Sequence, residues 1–277
     1  MKSVLAPMAF ALANAAPWLL PYLPLAQQLL QEANSQSVVA ALNASRGENP
    51  ALPRFVDHSE LPAGEPYESF VARTSCVPTR ENLHDLFNGL MWLTYPQTKR
   101  RLNELQAQQI ALHGASGPRG SLRDALTVFD ENAVVLRAPA SLAAALREHD
   151  WNTLFVARRS EWQSARLMIF GHALMEKLMQ PRKAITGHVW VTEQLTDAGL
   201  ASSLTPERLR AKVFLPLPVL GVPGWWDANT EPGFYDDVDV FRPARRAMPD
   251  DSRRDDSPRS HKPPSHRWRG TDEPGPR

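Results

Sequence analysis

The sequence predicts an α+β protein: a single, mostly helical domain with a small antiparallel sheet. Apolar residues recur at helical spacing through residues 81–94, which indicates a helix with one buried face. The β-rich runs at 126–136, 153–157 and 185–191 are candidate strands. The 25 prolines cluster toward the two ends and near 216–223. Because proline cannot continue a helix or sit in a central strand, we expect extended proline-rich N- and C-terminal segments that wrap the body.

The chain divides into an apolar N-terminal segment (1–16), a globular domain (17–243) and a charged tail (244–277). The N-terminal segment contains an apolar stretch followed by Ala13-Asn14-Ala15, as in a signal peptide with its cleavage site. However, Pro7 interrupts that stretch, and the apolar sequence continues beyond the site to Pro24. We therefore favour a segment that packs on the core through Trp18 and its neighbours, with export to the periplasm or outside the cell as the alternative.

The C-terminal tail has the composition of a disordered segment. From Arg242 onward the sequence holds 10 Lys or Arg, 6 Asp or Glu and 7 Pro, with only four apolar residues. Such a segment cannot bury enough apolar surface to offset the entropy lost on ordering. Its net positive charge would allow weak binding of anions, and no other partner is indicated.

Composition excludes several classes of protein. With 31 basic and 30 acidic residues, the chain shows no charge excess that would favour nucleic acid or an acidic membrane surface. The single cysteine, Cys76, excludes an intrachain disulfide framework and a cysteine-based zinc cluster. No apolar run approaches the roughly 18–20 residues of a membrane-spanning helix. A soluble globular protein is the remaining expectation.

Three predicted elements carry the polar residues suited to catalysis. His84 lies at the edge of the apolar arc of the 81–94 helix. Asp130 and Glu131 fall at the tip of a predicted hairpin over 126–136. A long buried helix is predicted over 160–180, since Ser160-Glu-Trp-Gln163 forms a capping box and Pro181 closes the other end. On this helix His172 and Glu176 stand one turn apart among apolar neighbours.

Four sequence motifs resemble one known family. They are HDLFNGLMWLTYPQTKRRLN (84–103), RDALTVFDENAVVL (123–136), FGHALMEKLMQP (170–181) and LPVLGVPGWWDAN…FYDDVDVFRP (217–243). The chain resembles the bacterial domain of unknown function 3025 family over roughly residues 17–243. The resemblance implies a bacterial, cytoplasmic protein whose N-terminal segment belongs to the domain. It supplies no catalytic residue.

The polar residues that could act together suit hydrolysis supported by a divalent metal. Such a site needs histidines and carboxylates that converge from two or three elements and leave a position open for water. The candidate catalytic residues are His84, Asp130, Glu131, His172 and Glu176. Within this set, His84, His172 and Glu176 are the candidate metal ligands, because a His-x-x-x-Glu spacing places two ligands on one helix face.

Other interpretations of the same residues remain open. His172 and Glu176 could be a structural hydrogen-bonded pair, and Asp130 and Glu131 could serve only as turn formers. His84-Asp85 also resembles the pair of metal-dependent phosphohydrolases, although the further His and Asp of that pattern have no well-placed match. No nucleotide-binding glycine loop or GxSxG motif is present.

The alternative function is a non-catalytic binding or scaffold protein. Its contact surface would be the Trp/Pro-rich extended segment that contains Trp225 and Trp226. Convergence of His84, Glu131 and the His172/Glu176 pair around a pocket would favour the enzyme.

Overall fold

Helices outnumber strands in the computed structural model, which describes residues 3–114, 120–211 and 213–244. The helices are α1 (Ala6–Ala13), α2 (Leu23–Ser35), α3 (Val38–Arg46), α4 (Tyr67–Thr74), α5 (Leu83–Thr94), α6 (Pro96–His113), α7 (Ser121–Asn132), α8 (Ala140–Arg147), α9 (His172–Lys177), α10 (Asp197–Ser203) and α11 (Pro206–Arg210). The strands are β1 (Arg54–Asp57), β2 (Cys76–Thr79), β3 (Ala133–Arg137), β4 (Arg166–Ile169), β5 (Thr186–Val191) and β6 (Leu215–Pro218). The predicted α+β class is confirmed. The predicted disorder of the tail concerns residues 245–277, which lie outside the described residues.

The main sheet has four strands in the order β4-β3-β5-β6. Strand β3 pairs antiparallel with β4 and parallel with β5, and β5 pairs antiparallel with β6. The sheet is therefore mixed rather than wholly antiparallel. Strands β1 and β2 form a separate parallel pair. Four consecutive residues of β3, 133–136, are fully buried, which is typical of a central strand covered on both faces.

Both terminal segments pack on this core. Leu5 and Met8 are fully buried, and the Tyr22 hydroxyl donates to the carbonyl oxygen of Ile169 at 2.6 Å. The N-terminal segment is helical rather than extended, because Pro7 and Pro24 occupy first turns of helices, where a missing N–H does no harm. At the other end the chain wraps the body in an irregular, proline-rich course.

None of the described helices is by itself long and apolar enough to cross a membrane. The stretches Ser3–Ala13 and Pro17–Ser35 reach that length and composition only as a pair, and the pair is bent by 101°.

The predicted helix over 160–180 is wrong. The chain there forms a 3₁₀ turn (Arg159–Gln163), strand β4 and then the short helix α9. A sequence that is apolar on all sides fits a buried strand as well as a buried helix, so its periodicity could not decide between them.

The predicted hairpin over 126–136 is also wrong. Helix α7 continues through Asn132, and only β3 follows it. This stretch forms a helix rather than a strand because four apolar residues at helical spacing make one buried face, namely Leu122, Ala125, Leu126 and Phe129. Asp130 and Glu131 therefore lie in the last turn of a helix. The run Thr153–Ala157, another candidate strand, is a π-helical turn.

Candidate metal centre

Three helix ends meet at one side of the main sheet. His84 is the second residue of α5, whose start is fixed by the Asn82 side chain, which accepts the Asp85 N–H at 2.8 Å. Glu131 lies in the last turn of α7, and His172 is the first residue of α9. The carbonyl end of α7 carries the negative end of its helix dipole, which favours a cation nearby.

A close backbone contact brings α9 onto the end of α7. A Cβ atom built on Gly171 would lie 2.5 Å from the Asn132 Cα and 2.5 Å from the Glu131 carbonyl oxygen. The N–H groups of Phe170 and Gly171 both donate to the Ala133 carbonyl, at 3.0 and 2.9 Å. Only glycine fits at position 171 without displacing the backbone, and this contact sets the distance between His172 and Glu131.

The ligand-type atoms of His84, His172 and Glu131 converge. The Nε2 atoms of the two histidines are 3.1 Å apart, and His172 Nε2 is 3.6 Å from Glu131 Oε2. One such atom from each residue lies within 4.8 Å of the others. Ligands bonded to zinc at about 2.0–2.1 Å in a tetrahedron are separated by roughly 3.3 Å, so the two shortest distances match edges of such a site.

The hydrogen bonds of the two imidazoles fix their tautomers. His172 Nδ1 lies 2.8 Å from the Asp130 carbonyl oxygen, and His84 Nδ1 lies 3.0 Å from Glu176 Oε2. Both oxygens can only accept, so each Nδ1 carries the hydrogen and donates it. In the neutral rings each Nε2 then presents a lone pair, and the two Nε2 atoms lie 3.1 Å apart. A shared proton, or a metal ion bound to both nitrogens, would relieve the repulsion between these lone pairs.

Burial disfavours a proton on one of the two rings. His172 is buried, and this burial lowers its pKa from 6.5 to about 4, although the nearby Asp130 carboxylate opposes the shift. His172 is therefore neutral at physiological pH, the form in which an imidazole can bind a metal. Histidines that bind a metal commonly donate their other N–H to a carbonyl or carboxylate, as both rings do here.

The pKa values of the two acidic residues at the end of α7 are shifted in opposite directions. Burial raises the pKa of Glu131, and the neighbouring Asp130 charge raises it further. Burial alone would also raise the pKa of Asp130, but the Lys99 ammonium, with His172, outweighs it and lowers that pKa. A cation beside Glu131 would favour its ionised form.

Lys99 is the buried partner of Asp130. Its side chain comes from α6, is 3% exposed and makes an ion pair with Asp130 Oδ1. Its ammonium also lies 5.5 Å from the centre of the Trp92 ring. No local sequence pattern indicates this pair, because α6 and α7 meet only in the tertiary structure.

The structure brings four of the five predicted site residues to one place. His84, Glu131 and His172 form the cluster. Asp130 lies beside it, and its backbone carbonyl accepts the Nδ1 hydrogen of His172. Glu176, a predicted metal ligand, lies behind the His84 ring and bonds its Nδ1 instead. Glu131, predicted as a catalytic residue, occupies the place of the third ligand.

The tryptophans proposed as a contact surface lie elsewhere. Trp225 and Trp226 are half-buried and pack against the core, with the Trp225 ring 6.2 Å from that of Trp18. This packing gives both side chains a structural role.

A cavity of about 290 Å³ opens beside the cluster. His84, His172, Asp130 and Glu131 all line it. Its remaining wall is made mainly by polar side chains, namely His58, Tyr67, Glu68, Arg80, Asp85, Asn88, Trp92, Lys99, Asn103 and Gln106, with Pro78, Leu102 and Leu126. The cluster is thus open to a small molecule.

Comparison with known protein families matches residues 53–245, well over half of the chain, to a family described as protein of unknown function (DUF3025). Neither the curated proteins nor the solved structures include a match. The matched range contains all of the residues that form the cluster and its cavity. The chain therefore belongs to the DUF3025 family.

Proposed function

We propose that this protein is a metal-dependent hydrolase whose divalent ion is held by His84, His172 and Glu131. The observation that carries the proposal is the 3.1 Å separation of the two Nε2 atoms, each on a ring whose Nδ1 makes its own hydrogen bond. A metal ion bound to both nitrogens would remove the repulsion between their lone pairs and would also offset the charge of Glu131, which burial disfavours.

The ligand set indicates the kind of metal. Two imidazole nitrogens and one carboxylate oxygen suit Zn²⁺, and the same set also serves Fe²⁺. Three protein ligands leave at least one position for water, as catalytic rather than structural zinc sites do. The 3.1 and 3.6 Å separations bracket the roughly 3.3 Å edge of a tetrahedral zinc site, so Zn²⁺ is the first ion to test.

The surrounding residues can support hydrolysis. A bound divalent ion lowers the pKa of its water ligand and so supplies the nucleophile near neutral pH. Asp130 lines the same cavity and is kept ionised by Lys99, so it can accept a proton from that water. Glu176 holds the His84 ring in the orientation that points Nε2 at the metal.

Metal analysis tests the proposal directly. Tag-free protein is loaded with Zn²⁺, dialysed and analysed by inductively coupled plasma mass spectrometry. We expect one zinc per chain in the wild type and a large loss in His84→Ala, His172→Ala and Glu131→Gln. His58→Ala is the matched control, because His58 lines the cavity but lies outside the cluster.

Two results would overturn the proposal. Wild-type protein that retains no zinc or iron would show that a proton bridges the two rings as a structural pair. Equal metal in His58→Ala and His172→Ala would place the ion elsewhere. Where the metal is confirmed, loss of ester or amide hydrolysis in Glu131→Gln assigns the activity to the centre.

We also propose the location that the family resemblance implies, the cytoplasm of a bacterium. Fractionation of a bacterium that expresses the full chain tests it, and accumulation in the periplasm would contradict it.

A further inference from the structure

The cavity beside the metal centre has a floor of carboxamide side chains. Asn88 lies one turn after His84 on α5, and Asn103 and Gln106 lie on α6. All three line the cavity and are 7–8% exposed. Water occupies about 30 Å³ per molecule in the liquid, so about 290 Å³ accommodates a ligand of roughly ten non-hydrogen atoms.

The cations of this wall are already neutralised. Among the described residues that line the cavity, Lys99 and Arg80 are the only lysine or arginine. Lys99 pairs with Asp130, and the Arg80 guanidinium makes two bonds to the Asp85 carboxylate at 3.0 and 3.1 Å. An anionic substrate would find no unpaired cationic side chain here, whereas a neutral substrate needs none.

Each carboxamide is fixed by one of its N–H groups. Asn103 Nδ2 donates to the Glu68 carbonyl at 3.1 Å, and Gln106 Nε2 donates to Thr127 Oγ1 at 3.2 Å. Asn88 Nδ2 donates to the Tyr67 hydroxyl at 2.9 Å, and Asn88 Oδ1 is buried without a partner among the described residues. This anchoring leaves the oxygens of Asn103 and Gln106 as acceptors for hydrogen-bond donors of a ligand, whereas the Asn88 oxygen is too deeply buried to be reached.

Tyr67 adds a donor to the same wall. Its oxygen accepts from Asn88, so its own hydrogen is available to a ligand. Burial raises the pKa of Tyr67, and the Asp130 and Asp85 carboxylates raise it further. The hydroxyl therefore remains a donor throughout the physiological range.

We propose that the cavity binds a small neutral carboxamide, whose carbonyl oxygen accepts from Tyr67 and whose N–H groups donate to Asn103 and Gln106. The inference rests on the proposed hydrolase and names its substrate class. In the reaction the oxygen of water bonds to the carbonyl carbon and the C–N bond breaks. The leaving nitrogen takes up a proton, so the products are a carboxylate and an amine.

Two ligands of one shape test the inference. Isobutyramide and isobutyrate are titrated into full-length protein, before and after Zn²⁺ loading, and followed by the indole ¹H–¹⁵N signals, since Trp92 lines the cavity. We expect isobutyramide to bind at least ten times more tightly than isobutyrate in the metal-free chain, where no ion can attract the carboxylate. Equal or reversed affinities, or no amide binding at 100 mM, would overturn the inference.

A matched pair of variants on α6 locates the binding. Gln106→Met removes a carboxamide from the cavity, whereas Gln108→Met removes an exposed one from the same helix. We expect a five- to ten-fold weaker affinity for isobutyramide in the first variant and no change in the second. Equal losses of affinity in the two variants would show that isobutyramide binds outside the cavity. If Gln106→Met fails to fold, the preference of the wild type for isobutyramide over isobutyrate still tests the inference.

The two proposals can fail separately. Protein that prefers the amide but retains no metal leaves the binding inference standing and overturns the hydrolase. Protein that retains zinc but prefers isobutyrate in its metal-free form overturns the amide inference alone.

Discussion

Two buried asparagines in different regions of the molecule illustrate how structure and function use polar groups. Asn229 is 2% exposed in the C-terminal wrap, and its amide donates to the carbonyls of Leu220 and Val222 while its oxygen accepts from Arg159. Asn88 is 7% exposed beside the candidate metal centre and makes a single bond, to Tyr67. Most buried polar groups are paired, so the unpaired oxygen of Asn88 distinguishes the wall of the cavity from the C-terminal wrap.

The same contrast holds for the charged residues of the two regions. Arg159 bonds the Asn229 oxygen at 2.8 Å and the Tyr235 hydroxyl at 3.1 Å, under a cluster of stacked aromatic rings. At the candidate metal centre the Nε2 atoms of His84 and His172 instead lie 3.1 Å apart with no acceptor between them. The polar groups of Asn229 and Arg159 are therefore satisfied within the protein, whereas we propose that a metal ion completes the candidate centre.

The largest expected effect separates the two asparagines. Asn229→Leu should lower the free energy of unfolding by about 3–5 kcal/mol, because it removes three hydrogen bonds of a buried amide and leaves the Leu220 carbonyl without a partner. Asn88→Leu loses one bond and removes an unpaired acceptor, so a change within about 1 kcal/mol is expected. Urea unfolding at pH 7 measures both. Losses of similar size would show that the two regions do not differ in this way.

The second effect is a pH dependence that arises from the metal centre. In the unfolded chain His172 binds a proton near pH 6.5, but in the folded chain only near pH 4. The unfolded state thus holds more protons between these values, and stability falls as the pH is lowered through that range. At about 1.4 kcal/mol per pKa unit, this contribution amounts to about 3 kcal/mol.

Urea unfolding of metal-free protein at pH 7, 5 and 4 measures that loss. His172→Gln should remove most of it, while His58→Gln, a substitution outside the cluster, should not. A pH profile that is unchanged in His172→Gln would contradict the assignment.

The third effect is stabilisation by metal. Zinc at one hundred times its dissociation constant should raise the free energy of unfolding by about 2.7 kcal/mol, because it binds only the folded state. Asn229→Leu should be less stable without zinc but should gain the same free energy of unfolding when zinc is added. His84→Ala should gain none. Thermal unfolding with and without Zn²⁺ measures this stabilisation in the wild type and in both variants. An equal increment in His84→Ala would mean that zinc binds outside the cluster.

The smallest effect concerns Glu176. Because this carboxylate only orients His84, Glu176→Gln should weaken zinc binding by about 10- to 100-fold without abolishing it. Competition with a zinc chelator measures the affinity, and the exposed Glu104→Gln is the control. A complete loss of zinc would show that Glu176 itself is a ligand, as the sequence pattern suggested.

Local sequence patterns predicted the α+β class, the helix that carries His84 and one strand of the main sheet. The apolar arc over 81–94 corresponds to α5, and the run over 185–191 corresponds to β5. The helix was identifiable because one buried face at helical spacing leaves a single interpretation. A short β-rich run is less decisive, since the run over 153–157 forms a π-helical turn. The 160–180 helix failed because residues 165–179 are apolar on every side, and such a run fits strand and helix equally well.

The candidate residues were identifiable, but their roles were not. His172 and Glu176 share a helix face as predicted, yet only the tertiary contact of α5 with α9 shows that Glu176 meets the far side of the His84 ring. Glu131 was assigned to a turn, and its approach to His172 depends on the packing of Gly171 against α7. Lys99 lies 31 residues from Asp130, beyond the reach of any local pattern.

The contact at Gly171 also affects how freely the rest of the sequence can vary. The spacing of His172 and Glu131 is set by a contact between two backbone segments and not by the shapes of neighbouring side chains. A Cβ atom at position 171 would lie 2.5 Å from backbone atoms at the end of α7. The spacing of these two residues should therefore respond less to substitutions of core side chains than to a substitution at position 171. Even the smallest addition there would force apart α7 and α9, the two elements that carry Glu131 and His172.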